Sequence, residues 1–230
     1  MEKTIKSRED TAILDQVKSG DFARIPEEYH IYLKQKLGEF ATKNLEIHDL
    51  KQLKQDDEKR AQAYARKISA ITRNPDFDML KYTPETVFAK EDMLAVTDEN
   101  NEIISFAGRD KAVGDLGHNN LSNSEIGTMY TDENWRGHGL AQTLGVILVS
   151  YAFEHQADAV IFANKNSLPV AEKLGFEKVS LTKQQREHPV SDELLSLCEN
   201  DFCDRYYVRK EGELCAIDNV MIKQNSRTEL

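Results

Sequence analysis

The segment from Glu125 to Ala163 constrains the fold more than any other part of the chain. It opens with a strand pattern, EIGTMYT (125–131), passes through two glycines, and continues as an amphipathic helix. The apolar face of that helix comprises Leu140, Leu144, Ile147, Leu148, Tyr151 and Ala152. AVIFA (159–163) then forms a continuous apolar run, which is typical of a strand covered on both faces. The segment therefore predicts a βαβ unit with two parallel strands.

Gly137 and Gly139 stand where the predicted strand gives way to the helix. Glycine allows a ligand to approach the backbone closely, and a helix N-terminus presents unpaired N–H groups and a positive dipole end. Together these features predict an anion site, usually for phosphate. A P-loop is excluded, because no lysine follows Gly139. A dinucleotide site is a weak match, because Gln142 replaces the third glycine and Asn164, not an acid, ends the next strand.

Three regions follow from the pattern of the whole chain. Residues 1–80 predict a helical N-terminal extension packing on the core, with helices over 24–41 and 49–71 and a short strand near 43–47. Residues 81–182 predict the core, which opens with a hairpin over 92–108 and contains the βαβ unit. Residues 183–230 predict a helix near Ser191, a strand at 205–210 and a polar tail that complete the same domain.

Composition limits the partners. The net charge of −10 disfavours nucleic acid and anionic membranes and favours a cationic substrate, although acidity that only aids solubility is an equally open reading. The chain has no apolar run of membrane-spanning length, and MEKTIKSRED at its start lacks the apolar core of a signal peptide. Three cysteines fit no common zinc spacing. We therefore expect a cytoplasmic protein without a metal. The sequence leaves open whether it forms a homodimer.

Two motifs carry a family resemblance. Residues 136–141, RGHGLA, read as R-x-x-G-x-A, and this stretch resembles the acetyl-CoA loop of the GNAT N-acetyltransferase superfamily. NKNSLPVAEKLGF (164–176) is similar to a second stretch of that family, N-x-x-(A/S) followed by E-K-L-G-F. The resemblance covers about residues 87–181. It implies an α/β fold with a mixed, mostly antiparallel twisted sheet, a parallel βαβ unit that binds CoA, flanking helices and here a helical N-terminal extension.

The resemblance also implies a binding site for acetyl-CoA as cosubstrate. Backbone N–H groups of residues 137–141 would hold the pyrophosphate, and the pantetheine arm would lie between the splayed fourth and fifth strands. The residues assigned to this site are Met129, Tyr130, Thr131, Arg136, Gly137, His138, Gly139, Leu140, Ala141, Asn164 and Ser167. Asn164 could equally be a strand cap, and His138 occupies a free position of the motif.

Catalysis of acetyl transfer needs a base, a stabilised oxyanion and a departing thiolate. In the family, a glutamate at the position of Glu125 often serves as the base, although a solvated strand-end carboxylate is an equally open reading. The N–H of Met129 would face the oxyanion. Many members carry a tyrosine as general acid where this chain has Ala171. The proton could come instead from Ser167, from Tyr206 or Tyr207, or from water.

The function that follows is acetyl transfer from acetyl-CoA to a primary amine of a small molecule or protein. Because of Ala171, a CoA-binding module without catalysis is the main alternative, and a dinucleotide oxidoreductase is the third. The sequence does not identify the acceptor, which we expect to be cationic.

Overall fold

A mixed sheet forms the centre of the computed structural model, which describes residues 12–74, 81–111, 122–163, 166–178 and 220–223. Within these ranges its strands are β1 (Glu46–Asp49), β2 (Asp92–Thr97), β3 (Ile103–Lys111), β4 (Ser122–Thr131), β5 (Ala157–Phe162), β6 (Glu177–Lys178) and β7 (Val220–Lys223). They lie in the order β1-β2-β3-β4-β5-β7-β6. Strands β4 and β5 are parallel and the other neighbouring pairs are antiparallel. The predicted mixed, mostly antiparallel sheet is confirmed.

Helices cover both faces of this sheet. They are α1 (Ile13–Ser19), α2 (His30–Thr42), α3 (Leu50–Asp56), α4 (Glu58–Thr72), α5 (Pro84–Ala89), α6 (Leu140–Glu154) and α7 (Leu168–Lys173). Short 3₁₀ turns occur at Glu27–Tyr29 and Glu133–Trp135. Helix α6 joins β4 to β5 and completes the βαβ unit. None of the helices in the described ranges is both long and apolar enough to cross a bilayer.

The larger hydrophobic core lies between the sheet and α6. Ala159 and Ile161 of β5 are buried there, and Val160 between them is also fully buried, as expected for a strand covered on both faces. Helix α6 is buried on more than its apolar face, because every residue from Thr143 to Phe153 is buried. The sheet covers only one side of α6. The other side is covered by the N-terminal helices and by α7, with Leu174 packed against Gly145.

The N-terminal segment that includes α1 and α2 contacts α6 through polar as well as apolar groups. The backbone N–H of Leu14 donates to the Tyr151 hydroxyl at 3.4 Å, and Arg24 forms an ion pair with Glu154 at the end of α6. Ile13, Val17 and Leu33 are fully buried in the same cluster of apolar side chains as α6. The N-terminal helices therefore share the main core.

A second core lies on the opposite face of the sheet, beneath α3, α4 and α5. It comprises Leu50, Tyr64, Ala65, Ile68, Tyr82, Val87, Met93, Ala95, Ile103 and Phe106. Since successive strand residues point to opposite faces, Leu94 and Val96 of β2 enter the first core while Met93 and Ala95 enter the second. Both faces of β2 are thus buried.

Several elements differ from the sequence-based expectation. The single helix predicted over 49–71 is interrupted at Asp57, whose extended backbone (φ −148°, ψ 83°) ends α3 and whose side chain caps α4 by accepting from the N–H of Arg60. Helices α1 and α5 are short, and their patterns were too brief to predict. The strand expected near 43–47 is β1. The helix and strand predicted near Ser191 and at 205–210 lie outside the described residues.

Candidate active site

The loop between β4 and α6 has the geometry of an anion site. Gly137 and Gly139 both adopt the left-handed conformation, at φ 82°, which residues with a side chain rarely adopt. Gly139 is the N-cap of α6, and its carbonyl accepts the first helical hydrogen bond, from the N–H of Thr143 at 2.9 Å. The N–H groups of the three residues before Thr143 have no partner within the helix. They lie at the positive end of a 15-residue helix.

Helix α2 borders this loop, which sequence reasoning did not anticipate. The Tyr32 hydroxyl donates to the carbonyl oxygen of Gly139 at 3.0 Å and lies 3.3 Å from the hydroxyl of Thr143. Lys36 packs beside the same glycine, and the Lys43 ammonium lies 3.0 Å from the Nδ1 atom of His138. The sequence shows α2 as amphipathic, but amphipathicity does not reveal which loop the helix will meet.

A gap opens between β4 and β5 next to the loop. The two strands pair over only four residues, from Ser122 opposite Ala157 to Glu125 opposite Val160, although β4 continues to Thr131. Beyond Glu125, no strand in the described ranges pairs with β4 on that side. The backbone groups of this edge can therefore pair with an extended ligand as a neighbouring strand would.

Strand β4 is irregular where this edge begins. Phe106 of β3 stands opposite Tyr130 and Gly108 stands opposite Gly127, so β4 carries one more residue than β3 over this interval. Such a bulge disrupts the local hydrogen-bond ladder. Thr128 lies within it at φ 54°, a left-handed conformation that is rare for a β-branched residue. Strained backbone of this kind is concentrated at functional sites.

Charged side chains gather beside the bulge on the face covered by the second core. Asp110 and Glu125 stand opposite each other in the β3–β4 register, so their side chains share one face. The Lys90 side chain is 9% exposed, and its ammonium forms an ion pair with Asp110. When both carboxylates are ionised, the single ammonium leaves the cluster negative by one charge.

The cluster perturbs the pKa values of its members. Burial raises the pKa of the Glu125 carboxyl, and Asp110 raises it further, while Lys90 acts in the opposite direction. Burial alone would lower the pKa of Lys90, but its electrostatic interactions with Tyr82 and Asp110 outweigh burial and raise it. A carboxyl with a raised pKa beside a cleft is a candidate general base.

The structure brings most of the expected site residues together. Met129, Tyr130 and Thr131 form the partly buried end of β4, and residues 136–141 form the glycine loop and the start of α6. Leu140 differs from the others because its side chain is 1% exposed and packs in the core. Only its backbone can contact a ligand. Ser167 precedes α7 as its N-cap residue. Asn164 lies outside the described residues.

Among the described residues, no group of three or more His, Cys, Asp or Glu side chains could hold a metal ion.

Comparison with known proteins gives the context for this geometry. The model of the acetyltransferase (GNAT) family matches residues 48–176, more than half of the chain. A comparison with curated proteins finds no match.

Several solved structures are similar to the chain. Rv2747 from Mycobacterium tuberculosis, solved in complex with CoA, is 15% identical, with 70% of this chain and 93% of that chain covered and a TM-score of 0.47. An acetyltransferase from Trypanosoma brucei is 16% identical, with 60% and 96% covered and a TM-score of 0.44. YhbS from Escherichia coli, in complex with CoA, is 16% identical, with 71% and 77% covered and a TM-score of 0.43.

The raised pKa of Glu125 predicts a dependence of stability on pH. Between the ordinary pKa and the raised one, the folded protein binds more protons than the unfolded chain, so the free energy of unfolding falls as pH rises through this window. Glu125→Gln removes the ionisable group and should therefore raise the free energy of unfolding relative to wild type at neutral pH. The gain should vanish in acid below the ordinary pKa of the carboxyl. Urea unfolding of both proteins across this pH range measures it.

Glu154→Gln provides the matched control, since it alters a half-buried glutamate that is ion-paired with Arg24 at the far end of α6. This variant should show no gain in stability at neutral pH. If Glu125→Gln were less stable than wild type at neutral pH, ionisation of Glu125 would not lower the free energy of unfolding, and the prediction would be contradicted.

Proposed function

Because the chain belongs to the acetyltransferase (GNAT) family, we propose that it transfers an acetyl group from acetyl-CoA to a primary amine of a small molecule or protein. One arrangement carries the proposal. A left-handed glycine loop at a helix N-terminus adjoins an unpaired strand edge, and a negatively charged cluster lies beside that edge. An anionic, extended donor and a cationic acceptor suit these surfaces.

The glycine loop would bind the CoA pyrophosphate. Unpaired N–H groups at the start of α6 donate to phosphate oxygens, and the helix dipole favours the negative charge. Arg136 is exposed beside them, and its Nε lies 3.4 Å from the carbonyl oxygen of Thr131. Lys43, which directly follows α2, adds positive charge to the same side of the loop, where Lys36 also lies in an ion pair with Glu39. The loop is thereby more basic than the overall charge of the chain implies.

The pantetheine arm would lie along the unpaired edge of β4. Its two amide groups can hydrogen-bond to the main chain of Thr131 and to the carbonyl oxygen of Met129, as an added strand would. This placement brings the thioester to the bulge at Thr128, next to the cluster that contains Glu125. Ser167, at the start of α7, borders the far side of the gap.

The acceptor would enter from the side of the charged cluster. An alkylammonium with a pKa of about 10 must lose a proton before its nitrogen can attack the thioester carbon. Glu125 accepts that proton directly or through a water molecule, and the excess negative charge of the cluster attracts the cation. The carbonyl oxygen becomes an oxyanion, which the N–H of Met129 in the disrupted ladder stabilises.

The donor site is tested by substituting Gly139. A Cβ atom at this position would lie 2.8 Å from the Tyr32 hydroxyl oxygen, and the left-handed φ adds strain. Gly139→Ala should therefore displace the loop and weaken acetyl-CoA binding by about tenfold, equivalent to roughly 1.4 kcal/mol. Acetyl-CoA at a fixed concentration should raise the melting temperature of wild type and shift that of the variant much less.

Gly20→Ala is the control for backbone strain. Gly20 has φ 80° but no atom within 4 Å of an added Cβ, and it lies at the end of α1. This variant should lose some stability yet keep the full acetyl-CoA shift. If acetyl-CoA shifted the melting temperatures of wild type and Gly139→Ala equally, the glycine loop would not be part of the acetyl-CoA site.

The chemical role of Glu125 is tested by kinetics. Glu125→Gln preserves the shape of the side chain but cannot accept a proton, so kcat should fall by about 10²-fold. The KM for acetyl-CoA should change little, because the pyrophosphate loop is separate from the cluster. Raising the pH should partly restore the rate, since free amine then supplies the nucleophile. Release of CoA with the best amine from a screen gives both profiles.

Glu154→Gln again serves as the control and should keep the wild-type rate. Equal rates for wild type and Glu125→Gln near neutral pH would make Glu125 an ordinary strand carboxylate. If acetyl-CoA binds but no amine releases CoA from wild type, the protein is a CoA-binding module without catalysis.

A further inference from the structure

The departing CoA thiolate needs a proton source, and position 171 does not supply one. Ala171 is fully buried in the larger core and carries no ionisable group. Tyr206 and Tyr207, which the sequence also suggests, lie outside the described residues. Ser167 and water stay open as donors, and the hydroxyl groups around the bulge of β4 are further candidates.

Tyr82 and Thr128 form a hydroxyl pair at that bulge. The Tyr82 hydroxyl oxygen lies 2.7 Å from Oγ1 of Thr128, the ordinary distance of a hydrogen bond between two hydroxyls. Tyr82 is 4% exposed and belongs to the second core, so its ring is held in place by packing. Thr128 is the residue with the strained left-handed backbone. The fold thus holds two hydroxyl groups in contact at the point where the thioester would lie.

Lys90 completes the environment of the pair. Its ammonium lies 4.9 Å from the centre of the Tyr82 ring. Its aliphatic stem packs over Gly108, where a Cβ atom would come within 2.7 Å of the Lys90 Cδ. The absence of a side chain at Gly108 therefore makes room for Lys90. A buried ammonium beside the ring would stabilise negative charge on a phenolate.

On this geometry, which rests on the proposed function, we propose that the Tyr82–Thr128 hydroxyl pair is the general acid of the transfer reaction. Thr128 contacts the sulfur and Tyr82 supplies the proton through it. The pair takes the place of the tyrosine that is missing at position 171.

The proton balance closes in four steps. The neutral amine forms a bond to the thioester carbon, and the carbonyl π electrons move to oxygen. Glu125, having passed the proton of the substrate ammonium to solvent, takes a second proton from the attached nitrogen. Collapse of the tetrahedral intermediate breaks the C–S bond, and the sulfur takes its electron pair together with the Thr128 hydroxyl proton. Thr128 is reprotonated by Tyr82, whose phenolate faces Lys90 and then recovers the proton held by Glu125 through water.

The pair is tested by a double-mutant cycle. Tyr82→Phe keeps the packed ring but removes its hydroxyl, and Thr128→Val keeps the β-branched shape but removes the other. Each substitution should lower kcat by roughly tenfold, below the usual range for acid–base residues because a thiolate is a weak base. The KM for acetyl-CoA should stay within about twofold. The double variant should lose no more than either single variant, since both interrupt one proton path.

Two controls separate chemistry from packing. Tyr64→Phe removes the hydroxyl of another buried tyrosine of the same core, which is hydrogen-bonded to Arg60 at 2.9 Å, and should keep the wild-type kcat. Thr128→Ser retains a hydroxyl and should keep most of the activity that Thr128→Val loses. This comparison does not depend on the folding of any Tyr82 variant.

The outcomes are distinct. The assignment of the general acid would be overturned if Tyr82→Phe kept the wild-type kcat. It would also be overturned if Thr128→Ser and Thr128→Val lost the same activity, or if the losses of the two single variants added in the double variant. In each of these cases amine-dependent CoA release by wild type would persist and the proposed function would stand. If wild type releases no CoA with any amine, the proposed function fails and the general acid fails with it.

Discussion

The short parallel pairing of β4 with β5 is the constraint on which the candidate site depends. Four residue pairs fix the two strands at one end, and α6 returns the chain between them. Past Glu125 the pairing stops while β4 continues, and the bulge at Thr128 turns its backbone away from regular geometry. The same interruption creates an unpaired edge, places Glu125 at the start of that edge, and leads the chain into the glycine loop. The donor surface and the charged cluster thus share one structural cause.

The N-terminal helices contribute to this site as well as to the core. Together with α7, they cover the side of α6 that the sheet leaves open, which explains why nearly the whole helix is buried. Tyr32 then fixes the glycine loop by donating to the carbonyl of Gly139. A contact between α2 and the loop couples packing of the N-terminal helices to the shape of the anion site. Removing these helices would expose an apolar side of α6 and release the loop together.

Local patterns in the sequence predict the βαβ unit, the hairpin and the glycine loop, because each depends on residues close together in the chain. The position of Gly137 and Gly139 before an apolar stripe indicates a loop at the start of a helix. The bulge at Thr128 carries no such signal, since threonine favours regular strands. Tyr82 and Lys90 reach the site from distant parts of the chain, so only tertiary structure reveals them. The break at Asp57 was missed because charged residues on both sides of it continue the helical pattern.

Amide hydrogen exchange with and without acetyl-CoA tests the central claim, that the donor occupies both the glycine loop and the unpaired edge of β4. We expect exchange to slow in residues 127–131 and in residues 137–142, with no change in α4, which lies on the opposite side of the sheet from α6. The two segments should become protected together as the concentration of acetyl-CoA rises. Protection of the loop alone, with exchange along β4 unchanged at saturation, would contradict the account.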